Sequence, residues 1–140
     1  MIRLFNLEDL DDVMKIWFDA NLEVHNFIDK DYFISNYSYV KEQMKQSNIF
    51  VYENNGKILG FIGIDNGFIQ GIFVSKTSRS KGIGKKLIDY CKEKYSTLSL
   101  KVYEKNKRAI NFYKNQEFRI YSKSVDIQTQ QVEYDMVWEK

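Results

Sequence analysis

At 140 residues the chain has the length for one well-buried hydrophobic core and not for two, so a single domain spanning residues 1–140 is expected. Hydrophobic residues at 44% and aromatics at 16% exclude global disorder, and 21 Lys and Arg against 19 Asp and Glu, a net charge of +2, exclude the broad basic surface that non-specific nucleic-acid binding needs. The lone cysteine, Cys91, excludes an internal disulfide and a cysteine-rich metal or iron–sulfur site, which suits a reducing compartment.

The opening stretch, MIRLFNLEDLDD, is acidic where a secretion signal is basic, and the longest apolar run, Ile58 to Ile64, is about a third of a membrane span. A cytoplasmic protein with no membrane partner is expected. Leu4 and Phe5 fit a short strand. Asn6, with Asp9 three residues later, is a helix-capping signature, and Leu10, Val13, Met14 and Trp17 follow as one apolar stripe. A polar connector holds His25, Phe27 and Ile28, and a second helix is expected from about Asp31 to Gln46.

Ile49–Glu53 and Lys57–Ile64 read as two strands joined by Asn54, Asn55 and Gly56, a hairpin signal. Asp65, Asn66 and Gly67 form the next turn, and Phe68–Val74 a third strand. A helix then carries Leu87, Ile88 and Cys91 behind Gly82 and Gly84, and Leu98–Tyr103 returns as a strand. A short helix holds Ala109, Ile110, Phe112 and Tyr113, and Phe118–Val125 and Val132–Trp138 close the chain as strands. With no proline anywhere, no rigid linker divides it.

This order predicts an α/β (α+β) fold, a mixed, mostly antiparallel central sheet with helices on both faces. The crossover from Ile72 through the Gly82 helix to Val102 should make two neighbouring strands parallel and right-handedly connected. The last strand, Val132–Trp138, could pair with a second copy if its edge is open, so a monomer and a homodimer are both alternatives.

The chemistry concentrates between Ile72 and Leu87: a strand, a basic loop, and a helix whose first turn contains Gly82 and Gly84. Unpaired N–H groups and the helix dipole favour an anion there, and Arg79, Lys81, Lys85 and Lys86 add positive charge. A solvated, lysine-rich helix start is the bland alternative. A P-loop would need Gly-Lys-Ser/Thr and a dinucleotide fingerprint a third glycine, and neither is present.

Arg79-Ser80-Lys81-Gly82-Ile83-Gly84 resembles the Arg/Gln-x-x-Gly-x-Gly/Ala signature of the GNAT superfamily of N-acetyltransferases. Leu98–Tyr103 followed by Asn106, Ala109, Phe112-Tyr113 and Glu117-Phe118 is similar to that family's strand and Asn…Ala…Phe-Tyr…Gly-Phe segment, with Glu117 in place of the usual Gly. The match covers Ile72 to Phe118, about a third of the chain, and element order extends it to nearly the whole length.

The resemblance implies a GNAT-like fold and acetyl-coenzyme A as acetyl donor. It implies that the backbone of Arg79, Ser80, Lys81, Gly82, Ile83, Gly84 and Lys85 holds the pyrophosphate. Phe73 and Val74 would pair with the pantetheine arm, and the Val74 amide would polarise the acetyl carbonyl. Asn106 would assist cofactor binding, and Tyr113 would protonate the departing thiolate, a role open to a phenol at neutral pH. A core tyrosine and a helix-capping Asn106 are the alternatives. Cys91, on the apolar stripe, reads as a buried, inert thiol.

The acceptor is a small-molecule or peptide amine in this resemblance. His25-Asn26-Phe27-Ile28 is similar to a His-x-Phe-Ile/Leu segment of small bacterial members, and as the only histidine His25 could deprotonate an amine or be a polar surface residue at a helix end. Some members carry a basic carboxylate beside the acetyl group; around Gln70 and Gly71 there is none, and Glu53 and Asp65 are equally explained as solvated turn charges. That gap also leaves open a non-catalytic acyl-coenzyme A sensor, and less strongly an ATP-binding domain. Tyr32, Phe33, Tyr37 and Tyr39, with the loop from Asp126 to Gln131, could shape the acceptor pocket.

Overall fold

The computed structural model describes all of residues 1–140. The chain runs β1 (Ile2–Leu4), α1 (Leu10–Val24), α2 (Lys30–Gln46), β2 (Ile49–Asn54), β3 (Lys57–Asp65), β4 (Phe68–Val74), α3 (Ile83–Lys94), β5 (Thr97–Tyr103), α4 (Lys107–Asn115), β6 (Arg119–Asp126) and β7 (Gln131–Glu139). The strands form one seven-stranded sheet in the order β1-β2-β3-β4-β5-β7-β6, antiparallel at every pair except β4–β5. The fold is therefore the mixed, mostly antiparallel sheet expected from the sequence.

Local chemistry sets the element boundaries. Asn6 and Asp9 form the reciprocal cap, the Asn6 side chain accepting from Glu8 N–H and Asp9 accepting from Asn6 N–H at 2.9 Å. A short 3-10 turn over Leu7–Asp9 intervenes before α1. Arg3 reaches both oxygens of Asp9, at 2.8 and 2.9 Å, and Glu53 at 2.6 Å, tying β1, β2 and the start of α1 together. That pairing accounts for Glu53 as a structural charge matched to Arg3. The β2–β3 hairpin turns at Asn55 and Gly56, with φ of 53° and 76°.

Two apolar clusters cover the two faces of the sheet. Val13 and Met14 of α1 and Met44 of α2 pack on Ile49, Val51 and Phe61. On the opposite face Leu87, Ile88 and Cys91 of α3 and Ile110 and Tyr113 of α4 pack on Ile62, Leu98, Leu100 and Met136. β3 is buried on both faces, which explains the unbroken apolar run Ile58–Ile64 where a half-exposed strand would alternate. Each fully buried aliphatic side chain contributes about 1.5–3 kcal/mol.

The open edge that pairing with a second copy would need is absent from the last strand. Val132–Trp138 lies in β7, which is paired on both sides, with β5 from Thr97↔Glu139 to Tyr103↔Glu133 and with β6 from Arg119↔Val137 to Asp126↔Gln131. The edges of the sheet are β1 and β6, so the last strand offers no free edge. No helix is long and apolar enough to cross a membrane.

Candidate active site

β4 and β5 pair at only two positions, Phe68↔Ser99 and Ile69↔Leu100, and then separate. A cavity of about 810 Å³ opens there and is lined from both strands, by Gln70–Val74 on one and Lys101–Tyr103 on the other. The gap joins the α1–α2 face of the sheet to the α3–α4 face. Ser75 N–H donates to Leu59 O on β3 at 2.8 Å, and peptide groups alternate sides along a strand. Phe73, opposite Phe61, is thus committed to β3, while the N–H groups of Ile72 and Val74 turn toward the gap. A chain bearing amide groups can hydrogen-bond there as an added strand.

At one end of the cavity lies the start of α3. Gly82 is its N-cap with φ of 80°, no side chain caps the helix, and a Cβ on Gly82 would meet nothing within 4 Å. The N–H groups of Ile83, Gly84 and Lys85 precede the first intrahelical donor, Lys86, which bonds Gly82 O at 3.0 Å. This is an open, electropositive helix end suited to phosphate oxygens. Gly84 serves a different need: a Cβ there would stand 3.1 Å from Phe112 Cζ, so its absence lets α4 lie against α3.

The basic side chains divide. Arg79 turns back to α1, its Nη1 bonding Glu23 at 2.8 Å and its Nε reaching Val74 O at 3.4 Å. Lys85 pairs with Asp89 at 2.6 Å, and Lys86 lies over the Tyr52 ring at 5.5 Å. Arg108, not anticipated from the sequence, lines the cavity and donates to Ser80 Oγ at 3.3 Å. All site residues expected from the sequence line this cavity except Lys81, which is exposed on the loop.

Asn106 caps α4, its Oδ1 accepting from Ala109 N–H at 3.2 Å. About two turns of helix then carry Tyr113 into the cavity wall. Tyr113 is buried, no protein group hydrogen-bonds its hydroxyl, and burial pushes its pKa up, so it stays a proton donor at neutral pH. Cys91 is fully buried, which pushes its thiol up to about 11 and keeps it inert.

His25 sits at the C-cap of α1, half-buried among Phe27 and Tyr103, whose ring centroids lie 5.6 and 5.1 Å away. Asn21 gives its Nδ2 to Trp17 O at 2.9 Å, so its Oδ1 accepts from His25 Nδ1–H at 2.8 Å. Nε2 of His25 then accepts from Asn106 Nδ2 at 3.1 Å. Both ring nitrogens are engaged, and burial lowers the imidazole to about 4, leaving it neutral. The acceptor-side segment and the α4 cap are thereby joined through one ring.

On the α1–α2 face, Tyr32 and Phe33 line the cavity, whereas Tyr37 packs edge-on against Trp17 and Phe18 and Tyr39 is exposed. Tyr32 bonds Gln128 at 3.1 Å and Tyr103 bonds Asp126 at 2.8 Å, so the loop after β6 does close over this side. Glu133, on β7, is the one carboxylate lining the cavity. Sequence reasoning looked for it on β4.

A groove with free strand amides, an open helix start and a buried phenol defines an acyl-coenzyme A-dependent acyltransferase. A model of the acetyltransferase (GNAT) family matches residues 10–118. The peptidyl-lysine N-acetyltransferase YiaC of Escherichia coli (strain K12) is 33% identical over 99% of this chain and 96% of its own. The solution structure of apo YjaB from Escherichia coli superposes with a TM-score of 0.90 at 21% identity, covering 99% of this chain and 96% of that one. The structure of yncA from Salmonella typhimurium with its cofactor acetyl-CoA gives a TM-score of 0.68 at 16% identity, covering 99% of this chain and 92% of that one.

The chain belongs to the GNAT acetyltransferase family. It is an N-acetyltransferase, and acetyl-CoA is its acetyl donor. The sensor and ATP-binding alternatives fall away.

Proposed function

We propose that this protein, acting as one domain over residues 1–140 in the cytoplasm, acetylates the side-chain amine of lysine in peptides or proteins by direct transfer in a ternary complex. The observation that carries the mechanism is the β4–β5 gap, with the outward N–H of Val74 and the unpartnered hydroxyl of Tyr113 on one cavity. The lysine acceptor is supported by the similarity to YiaC over nearly the full length of both chains.

The pyrophosphate is held by the N–H groups from Gly82 to Lys85, with Arg79, Ser80, Lys81 and Arg108 around them. Ile72 and Val74 hold the amide arm, and the Val74 N–H polarises the acetyl carbonyl. The bound donor supplies an activated acetyl group. Tyr113 gives the sulfur a proton as the amine attacks. Asn106 fixes the start of α4, and His25 acts as a positioning residue that orients the Asn106 amide. Holding both substrates across the gap supplies much of the rate gain.

The test is incubation of the protein with acetyl-CoA and a lysyl peptide, followed by free-thiol release and mass spectrometry. A 42-Da gain on lysine with matching thiol supports the reading, that figure being roughly the mass of an added acetyl group in place of hydrogen. Acetylation of small amines or peptide N-termini alone would replace peptidyl lysine by another acceptor.

A further inference from the structure

Glu133 is half-buried, and its carboxylate makes neither a hydrogen bond nor an ion pair with another protein group. Its charged neighbours are all matched. Lys101 bonds Asp135 at 2.7 Å, Asp126 accepts from Tyr103 at 2.8 Å, and Glu104 accepts from Tyr134 at 2.7 Å. In the register of the sheet Glu133 stands opposite Tyr103 on β5 and Ser124 on β6. Paired residues of neighbouring strands share a face, and Tyr103 contacts His25 and Phe27, so Glu133 lies on the α1–α2 side of the gap. The α3–α4 side, with Val102 and Met136, holds the donor groove.

We propose that Glu133 is the residue that receives the acceptor amine: it anchors a primary alkylammonium in an aromatic slot and takes the proton that must leave before the nitrogen can attack. The inference rests on the acetyl-transfer reading of the cavity and specifies its acceptor end. Tyr32, Phe33 and Tyr103 suit a methylene chain, and the carboxylate at its end suits the ammonium head. A neutral or anionic acceptor would leave Glu133 desolvated and unmatched, which is costly.

Proximity and charge make Glu133 a better base than a solvated carboxylate. Burial raises its pKa, and the like charges of Asp126 and Asp135 add to that against the opposing Lys101. The protons balance. One passes from the ammonium to Glu133 and on to water. The free amine forms the new C–N bond as the C–S bond breaks, Tyr113 protonates the sulfur, and the second amine proton restores the phenol.

The experiment has two arms. Protein carrying ¹³C-labelled glutamate is titrated with n-butylammonium, a lysine side chain without a peptide, and with n-butanol; Glu133→Gln identifies the resonance. The ammonium should shift the Glu133 carboxyl signal and lower its titration midpoint, and the alcohol should not. In the second arm Glu133→Gln should lower kcat/KM for a lysyl peptide by about 10²–10³-fold while coenzyme A affinity stays within about twofold of wild type, and Glu133→Asp should fall between. A resonance unmoved by butylammonium, or a Glu133→Gln protein within about threefold of wild-type kcat/KM, overturns the proposal. Butylammonium binding at Glu133 in a wild-type protein that leaves lysyl peptides unacetylated supports Glu133 and refutes the peptidyl-lysine acceptor.

Discussion

Nε2 of His25 accepts from the side-chain amide of Asn106 at 3.1 Å across 81 residues of sequence. Because Nδ1–H is already given to Asn21, the ring works only as the neutral tautomer. A proton on Nε2 would set two donors face to face.

The consequence for stability follows from the lowered pKa of about 4 against an ordinary value of 6.5. Between those values the unfolded chain binds a proton that the folded one refuses. The His25 contribution is therefore complete above pH 6.5 and is lost as pH falls toward 4. In urea unfolding, wild type should lose roughly 1–2 kcal/mol more than His25→Gln on going from pH 7 to pH 5. Equal losses would mean that the imidazole is not held neutral.

The same position separates positioning from base catalysis. A glutamine can accept from Asn106 but cannot carry a substrate proton, whereas His25→Phe keeps the ring and removes both hydrogen bonds. The expected order of kcat is wild type, then His25→Gln, then His25→Phe, with glutamine restoring at least about tenfold over phenylalanine. Two variants equally inactive, with the acid limb of the pH profile abolished in both, would make His25 the base.

Tyr113→Phe removes one oxygen that bonds to no protein group and faces the cavity, so the fold should hardly notice. Loss of the acid should lower kcat by about 10²-fold with acetyl-CoA affinity unchanged. An unaltered kcat, measured by thiol release, would remove Tyr113 from the mechanism.

Much of this site was legible because its determinants are local. Gly82 is forced by a positive φ at a helix start, and Asn106 and Asn6 by helix ends. Each needs only a few neighbouring residues to be recognised. Glu133 was hidden for the opposite reason. Its place follows from the Tyr103↔Glu133 register: the alternation of Val132, Tyr134, Met136 and Trp138 with Gln131, Glu133, Asp135 and Glu139 sets which face Glu133 takes, but nothing within β7 specifies the strand it lies beside. The same long-range pairing with β5 hid the interior position of β7.

Glu117 holds φ at 72°, where the family usually has Gly. An L side chain in that region costs about 1–2 kcal/mol, partly offset by the extra freedom glycine gives the unfolded chain. Glu117→Gly should stabilise by about 0.5–1 kcal/mol, a rise of a few degrees in Tm. A drop in Tm would show that the glutamate side chain contributes more than its backbone strain removes.

Gly82 offers the sharpest test of the donor groove, because its Cβ direction is open and only its φ of 80° restricts substitution. Asn and Asp are close in size and both tolerate this region, so Gly82→Asn reports the strain and Gly82→Asp reports strain plus a negative charge against the phosphates. A ligand at about 100 times its Kd stabilises by roughly 2.7 kcal/mol, several degrees for a chain of this length. Wild type should gain this with acetyl-CoA and with coenzyme A but not with ATP. Gly82→Asn should keep a large part of the gain, and Gly82→Asp should lose it even though its unliganded Tm matches that of the asparagine variant. An undiminished shift in Gly82→Asp would move the pyrophosphate away from the start of α3.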